Sequence, residues 1–408
     1  MGVITFWIFA QTTLNVAPAM GHDLGLPAST MDIMGVITAL FSGIFIVVIG
    51  GLALVKTYWD GAKQQRAVSL WSIGSWGGSG VCALFGGLVA QNLGWRYIFF
   101  GSIVVSLVGL LLMRGTPENK AEGGRDYKFD LLGVLSFMVT MVALQIVVTQ
   151  GYKIGWTGLP ILLLIATTAA FGSIFLWLES GNPHAFVDFR LFENQTCAGA
   201  TISNFLPNGV AGTLIVSLQL VQIGGNMTAQ QAGMLTLGYA VAIIAFLRVG
   251  EKLLQRFGSR KPMVWGSLIT GLSILLLTPS NLMLVDYKIL AVVAYALFGV
   301  GLAFYATPST DAALSSLPAS QAGTGAGIYK MASSLGGAFG VAISASIFTA
   351  LSANPASINW LQDVVIFVGR QDNLAVRQAA MIALLFNVFM VVVAILSIML
   401  TIPKVRRA

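Results

Sequence analysis

Residues 71–99 read WSIGSWGGSGVCALFGGLVAQNLGWRYIF, and the whole interpretation of the chain starts from this stretch. Its first two dozen residues carry no charge, so it is long enough to cross a bilayer core as a helix. Small residues recur at every fourth position, which on a helix makes one bare stripe where a second helix can approach to backbone contact. The residues of this predicted packing motif are Gly74, Gly78, Cys82, Gly86, Gly87 and Ala90.

The composition is that of a polytopic membrane protein. Hydrophobic residues make up 56% of the 408 residues and charged residues only 9%, whereas a soluble domain is about 25% charged. The mean hydropathy is +0.84. The net charge of +7 comes from basic residues in short loops, so it does not indicate nucleic acid as a partner. We therefore expect an all-α integral membrane protein whose main partner is the lipid bilayer.

The apolar runs predict twelve spans. With the N-terminus inside, sixteen of the 22 Lys and Arg residues fall on cytoplasmic segments and five on outside loops, while Lys330 lies within a span. The positive-inside rule therefore predicts that both termini are cytoplasmic in a multi-pass protein of the cell membrane. The predicted spans are 2–20, 32–54, 70–92, 96–113, 131–149, 159–178, 196–222, 231–249, 263–280, 288–307, 326–350 and 379–402.

The spans group into three parts. Residues 1–113 form an N-terminal helix bundle, 114–195 a linker with two further spans, and 196–408 a C-terminal bundle of six helices. The segment Glu179–Gln195 mixes aromatic residues with both charge signs, which is typical of a short interfacial helix. The span at 326–350 carries small residues at every fourth position, as residues 74–90 do, and such an echo is typical of duplicated transporter halves. These are Ala332, Gly336, Gly340 and Ser344.

The sequence has no catalytic or metal-binding motif. It contains no GxSxG, HExxH or phosphate-binding loop, and His22 and His184 are isolated. Cys82 and Cys197 lie inside apolar spans, which supports neither a disulfide framework nor a metal site. We therefore expect a protein that is not an enzyme and that uses no cofactor or metal.

Three charges at membrane depth are candidates for proton coupling, because such groups are costly in a bilayer. Lys330 lies several residues inside its span; the alternative is that it extends to the cytoplasmic interface. Asp311 follows Thr-Pro-Ser-Thr where span ten ends, so it could instead be a first-turn helix charge after proline. Asp32 opens span two after Ser29-Thr30, where a cap-region charge is the alternative.

A further set of polar and aromatic residues could line a substrate cavity. The amides of spans one and seven could instead form helix–helix hydrogen bonds, and the aromatic residues could face lipid or neighbouring helices. The cavity candidates are Gln11, Asn15, Asn204, Asn208, Trp76 and Tyr305.

A basic turn, residues 248–262, connects two spans and is a candidate cytoplasmic gate. Gly258 can adopt the left-handed turn conformation, and arginines here can pair with the carbonyls at helix C-termini. Ordinary positive-inside anchoring explains the charge but not the R-x-G-x-R spacing. The candidate gate residues are Arg248, Arg256, Gly258 and Arg260.

Motifs along nearly the whole chain resemble those of the major facilitator superfamily. More narrowly, they resemble the fourteen-helix drug:proton antiporters of the QacA and EmrB type, and within these the NorB-type quinolone efflux pumps. The resemblance implies two pseudo-repeated halves and proton-driven export of amphipathic, often cationic drugs by alternating access. The matching stretches are VITFW (3–7), ITALFSG (37–43), WSIGSWGGSGVC (71–82), WRYIF (95–99), GVAGTLIV (209–216), RVGEKLLQ (248–255), ATPSTD (306–311) and AGIYKMAS (326–333).

The chain departs from that family pattern in four ways. It has twelve predicted spans rather than fourteen, because a D-R-x-G-R turn and the two helices that normally follow Ala53 are missing. Since Met1 falls just before the first predicted span, we also expect no cytoplasmic lead before the first helix. The acid that many relatives carry in that helix is here Ala10 or Gln11, and the Gly-Pro pair of the antiporter motif reads Cys82-Ala83. Removing two spans leaves the sidedness of every later helix unchanged.

These features leave three functions open. The first is proton-coupled export of amphipathic or cationic drugs such as quinolones, with drug and protons as partners. The second is proton-coupled transport of a small metabolite on the same fold. The third is an internally deleted, transport-inactive family member, and the missing helix pair predicts that drug efflux is weak or absent. The sequence leaves the oligomeric state open.

Overall fold

The structure, a computed structural model, describes residues 23, 25, 59, 61–77, 89, 92–113, 130–180, 182, 187–318, 321–369 and 371–404. Every regular element in these residues is helical. The α-helices are α1 (Gly61–Ser72), α2 (Arg96–Met113), α3 (Leu131–Ile154), α4 (Leu159–Glu179), α5 (Gln195–Gly209), α6 (Gly212–Gln219), α7 (Ala229–Leu235), α8 (Leu237–Phe257), α9 (Arg260–Leu277), α10 (Leu284–Ser315), α11 (Ala322–Ala353), α12 (Leu361–Val364) and α13 (Leu374–Thr401).

Short helical turns of other types extend some of these helices. Residues Ile73–Gly77 continue α1 as a π-turn, and Leu220–Gly224 continue α6 in the same way. Single 3₁₀ turns lie at Phe189–Glu193 and Pro355–Ile358. The interfacial helix predicted for Glu179–Gln195 is therefore, among its described residues, a 3₁₀ turn.

Seven helical segments in the described residues are long and apolar enough to cross a membrane. They agree with the spans predicted from sequence between residue 131 and the C-terminus, apart from the span at 263–280, whose counterpart is α9, Arg260–Leu277. The first two predicted spans, and most of the third, lie outside the described residues. The seven segments are Leu131–Ile154, Leu159–Glu179, Gln195–Gly224, Gln231–Phe257, Leu284–Ser315, Gly323–Ala353 and Leu374–Thr401.

The helices from α5 onward pack into one bundle around a shared apolar core. Helix α10 lies between α8 and α9, and α5 lies between α11 and α13. Aromatic side chains such as Tyr295 and Phe298 fill the centre. Membrane helices gain stability from close packing rather than from burial away from water, so this tight bundle is the stable body on which the candidate residues are held.

The hairpin of α3 and α4 is attached to this bundle through α11. The Gln145 amide donates to the Ala338 carbonyl at 3.3 Å, and the Ser346 hydroxyl donates to the Val148 carbonyl at 2.9 Å. An apolar cluster fills one end of the same contact. Its buried members are Phe137, Phe175, Val187, Leu191, Cys197, Leu317 and Ile328.

Helix α10 is longer than the sequence predicts. The predicted span ended at residue 307, but the helix continues through Pro308 to Ser315. Proline is tolerated in a membrane helix where neighbouring helices and hydroxyl side chains satisfy the freed backbone groups. Asp311 therefore lies in the last turns of α10, and the alternative that it is a first-turn charge is wrong.

Candidate functional site

One end of the bundle concentrates the charged candidates. We call the end that carries the turn between α8 and α9, with Arg248, Arg256 and Arg260, the basic end. The opposite end, near α12, is called the far end. Eight of the candidate site and packing residues singled out from sequence lie outside the described residues, so the structure does not place them. These are Gln11, Asn15, Asp32, Gly78, Cys82, Gly86, Gly87 and Ala90.

An ion pair at the basic end joins the first part of the chain to the second. Arg66 on α1 lies with its Nη1 3.5 Å from Oε2 of Glu251 on α8. The Glu251 side chain is only 1% exposed, while that of Arg66 is 47% exposed. Arg248, one turn earlier on α8, also pairs with Glu251. Because a buried carboxylate is costly unless it is paired, these two arginines account for its position.

Lys330 makes a second contact between the same two parts of the chain. Its side chain is 7% exposed, and its Nζ lies 5.5 Å from the ring centroid of Trp71 on α1. An ammonium over an indole face is stabilised by the ring quadrupole. Helix α11 begins eight residues earlier, at Ala322, so this geometry favours a buried charge over a lysine that extends to the interface.

Asp311, the second of the candidate charges, is also buried. The residue is 7% exposed, and its Oδ1 accepts a hydrogen bond from the Ser315 hydroxyl at 3.2 Å. Among the described residues, no ion pair within 4.0 Å joins Asp311 to Lys330. The two charges therefore contact different groups in this conformation.

Two of the predicted cavity amides, Asn204 and Asn208, form a buried cluster between α5 and α11. The Asn204 amide donates to the Tyr329 carbonyl at 2.9 Å and to the Ser333 hydroxyl at 2.6 Å. Asn208 in turn donates to the Asn204 carbonyl and side chain at 2.7 and 2.9 Å. Of the two interpretations from sequence, this arrangement matches helix–helix hydrogen bonding for Asn204.

Tyr305, a third cavity candidate, belongs to a row of buried hydroxyl groups. Its oxygen lies 2.9 Å from Ser203 Oγ on α5 and accepts from Ser309 at 2.9 Å. Ser309 accepts from the Tyr329 hydroxyl on α11 at 2.9 Å. Thr310 lies within 3.3 Å of that same Tyr329 oxygen. The row connects α5, α10 and α11, and none of its side chains faces an open surface.

Two residues singled out from the opening stretch, Gly74 and Trp76, lie in Ile73–Gly77, the π-turn that follows α1. Trp76 is partly buried and packs against the apolar core of the second half. It therefore contacts protein rather than lipid alone.

The basic turn has the local geometry that its sequence predicts. Gly258 has φ +72°, a left-handed conformation that suits glycine, and its N–H donates to the Leu254 carbonyl at 2.8 Å. The Arg260 guanidinium donates to the carbonyls of Met399 and Ile402 at 2.6 and 3.2 Å, which lie at the C-terminal end of α13. Arg256 stacks on the Phe257 ring, with 5.2 Å to the centroid. The hydrogen bonds of Arg260 connect the turn to α13.

Small residues of α11 lie against the backbone of α5. A side chain at Gly336 would overlap the Phe205 carbonyl, and one at Gly340 would overlap the backbone of Gly209. Gly337, on the adjacent face, has only the Asn208 oxygen at 3.9 Å from the position a Cβ would take. The stripe at every fourth position thus faces the partner helix at backbone contact.

Arg377 precedes the last predicted span, which begins at residue 379, but in the structure it lies inside α13 and is buried. Its guanidinium donates to the carbonyls of Ser280, Leu282 and Val368 at 2.7, 3.1 and 2.8 Å. It borders a mostly apolar cavity of about 230 Å³ at the far end. These hydrogen bonds give Arg377 a structural role, because they join the loop between α9 and α10 to the loop before α13.

Sequence reasoning missed the Arg66–Glu251 pair and the hydroxyl row. Glu251 lies inside the basic turn, and an acid among the basic residues of R-V-G-E-K (248–252) indicates an ion pair. Its partner, however, lies in a different part of the chain, which spacing cannot reveal. The hydroxyl row had a weaker signal, the clustering of Ser and Thr around Tyr305.

Comparison with known proteins agrees with this architecture. The Major Facilitator Superfamily pattern matches residues 34–187 and 195–407. The Quinolone resistance protein NorB of Staphylococcus aureus (strain MRSA252) is 39% identical over 456 aligned positions, covering 99% of this chain and 94% of the relative. The NorB of strain COL shows the same identity and coverage. A solved auto-inhibited POT family peptide transporter aligns with a TM-score of 0.48 at 15% identity, over 99% of this chain and 89% of that one.

The length of the alignment with NorB bears on the predicted deletion. It has 456 positions against 408 residues here, so at least 48 positions of the alignment are gaps in this chain. Taken together, that number of positions is enough for two spans of about 20 residues each with their connection. From the family pattern and the NorB relatives, the chain belongs to the Major Facilitator Superfamily and is a membrane transporter, not an enzyme.

Proposed function

We propose that the chain exports amphipathic, often cationic drugs such as quinolones across the cell membrane in exchange for protons. The observation that carries this proposal is the 39% identity to a quinolone resistance protein over 99% of the chain. The transporter uses alternating access, in which the cavity opens first to one side of the membrane and then to the other. Proton entry supplies the driving force.

The contacts at the basic end support a state closed on that side. Arg66 and Trp71, both on α1, meet Glu251 and Lys330 in the second half of the chain. Opening a path between the two parts at this end separates both pairs. The basic turn is cytoplasmic by the positive-inside rule, so the conformation is closed toward the cytoplasm and its opening admits drug from inside.

Asp311, Lys330 and Asp32 are the groups we propose for proton coupling. Asp311 and Lys330 are both buried, and Lys330 contacts Trp71 of α1. An ionised side chain inside the membrane is costly, and gain or loss of a proton removes that cost. A change of protonation there therefore alters the relative free energies of the closed and open states.

Two alternatives remain as outcomes of one experiment. A metabolite transporter on the same fold would show proton-driven uptake or exchange of a small polar solute and no drug movement. A transport-inactive chain would move neither, and the alignment gap of at least 48 positions is the observation that favours it.

The test is reconstitution of the purified chain in liposomes with an imposed pH gradient. We expect a fluorescent cationic drug to move only while the gradient is present, and to stop when a protonophore dissipates it. A matched chain with a helix pair inserted after Ala53 shows whether the gap lowers the rate. Drug movement that ignores the gradient would contradict proton coupling, and no movement by either chain would contradict drug export.

A further inference from the structure

Two exposed cations at the turn between α8 and α9 converge on one aromatic side chain. The guanidinium carbon of Arg256 lies 5.2 Å from the centre of the Phe257 ring, and Nζ of Lys261 lies 5.6 Å from the same centre. The two charges are therefore no farther apart than the sum of these distances. Both side chains are exposed. Because like charges repel each other, an anion bound between them stabilises this arrangement.

The chain around this pair supplies no acidic residue that would neutralise it. Residues 252–285 contain no Asp or Glu, and residues 373–408 contain none. The acid nearest in sequence is Glu251, which is buried and pairs with two other arginines. In the described part of the chain, no ion pair within 4.0 Å involves Arg256 or Lys261. The two charges are therefore open to an anion from outside the chain.

A stripe of exposed apolar side chains on α9 starts next to the pair. The exposed residues that follow Lys261 recur at intervals of four and three, so they lie on one side of the helix. The other side of α9 packs against α10 and α13. The Trp265 ring meets the Phe257 ring edge-on at 5.3 Å, which connects the stripe to the cation pair. The stripe consists of Trp265, Leu268, Leu272 and Leu275, which are 38%, 53%, 51% and 46% exposed.

We propose that Arg256 and Lys261 bind the phosphate of an anionic phospholipid whose acyl chains lie along the exposed stripe of α9. A phosphate between the two cations gains charge-assisted hydrogen bonds from both. The Trp265 indole lies one turn from Lys261, at the headgroup level where tryptophan is enriched in membrane proteins. A soluble anion lacks the acyl chains for the stripe, and a zwitterionic lipid lacks the net charge for the cations. Lipid binding here does not depend on proton-coupled export.

The lipid site lies on the side of α8 that faces away from α1. Arg256 is exposed, whereas Glu251, five residues earlier on the same helix, is buried and pairs with Arg66 of α1. Five residues turn an α-helix by about 140° beyond a full turn, so the two side chains point in widely different directions. The lipid therefore stays bound while α1 separates from the second half, and it anchors this end of α8 and α9 to one leaflet.

The experiment compares phosphatidylglycerol with phosphatidylcholine of the same acyl chains, bound to the full chain in detergent and counted by native mass spectrometry. We expect saturable, preferential binding of phosphatidylglycerol. The double variant Arg256→Gln, Lys261→Gln should lose about tenfold or more in affinity for it. The matched control is Lys63→Gln, Lys252→Gln, which removes two exposed charges from other positions on α1 and α8. This control should keep the wild-type affinity.

Thermal unfolding before lipid is added shows that each variant is folded. Because Arg256 and Lys261 are exposed, their replacement should leave the unfolding temperature unchanged. Lys261→Gln alone should lose part of the affinity, so the test stands even if the double variant does not fold.

Three results would overturn the lipid site. Unchanged affinity in Arg256→Gln, Lys261→Gln would show that the pair does not hold the headgroup. Equal losses in the two double variants would show that the charge of the whole basic end attracts the lipid, without a site at Phe257. Glycerol phosphate that displaces phosphatidylglycerol at the same concentration would show that the pair takes any phosphate and that the α9 stripe contributes nothing.

Discussion

At the scale of single residues, the Arg66–Glu251 pair is the contact that most directly joins the two parts of the chain. Its carboxylate is buried and its guanidinium is half exposed, so solvent screens part of the interaction. The ion pair is therefore weak, and its two side chains can separate at a small cost in free energy. This suits a gate better than a contact that must stay closed.

The strength of that pair can be measured with a double-mutant cycle. Arg66→Ala, Glu251→Ala and the double variant should show a coupling free energy of about 0.5–1 kcal/mol in thermal unfolding in detergent. The value is small because Arg66 is half exposed and Arg248 remains beside Glu251. Purely additive effects would show that the two side chains do not interact in the folded protein.

We predict that the charges of Asp311 and Lys330 contribute to stability independently of each other. They form no ion pair within 4.0 Å among the described residues. Asp311→Asn and Lys330→Met should therefore lower the unfolding temperature independently, with non-additivity below about 0.5 kcal/mol. A double variant that is more stable than Asp311→Asn alone would mean that the two charges compensate each other.

At the scale of elements, the α5–α11 contact depends on residues without side chains. Gly336→Ala places a methyl group against the Phe205 carbonyl, and overpacking of this kind costs about 1–3 kcal/mol. Gly337→Ala is the control, because its methyl group meets only ordinary contact distance. We expect a lower unfolding temperature for the first variant only. The same loss in both would point to helix flexibility rather than interhelical contact.

The elements themselves were largely predictable, and their contacts were not. Apolar runs of about 20 residues identify spans because backbone groups in lipid must be satisfied within a helix. The continuation of α10 through Pro308 to Ser315 was missed, since the residues after 307 are polar and only the neighbouring helices show that they are buried. The stripe at Gly336 and Gly340 was found because its period belongs to one helix. Arg66–Glu251 was not, since only the tertiary fold brings α1 to α8.

At the scale of the whole molecule, we expect the distribution of basic residues to set the orientation in the membrane. Single cysteines at Lys252 and Lys404, near the basic end, should react with a membrane-impermeant reagent only in inverted vesicles. A cysteine at Asp363, at the far end, should react in intact cells. All three positions are exposed. Labelling of Lys252→Cys from outside the cell would reverse the proposed direction of transport.

We propose that transport requires α1 and the second half to separate at the basic end. The direct test is a chain without Cys82 and Cys197 that carries Arg66→Cys and Glu251→Cys, reconstituted in liposomes. When a reducible bifunctional thiol reagent links the new pair, gradient-driven drug movement should stop, and reduction should restore it. The same reagent applied to Val148→Cys and Ser346→Cys, which lie in contact between α3 and α11, controls for modification of the chain. Undiminished transport with the 66–251 pair fully linked would show that separation at the basic end is not required.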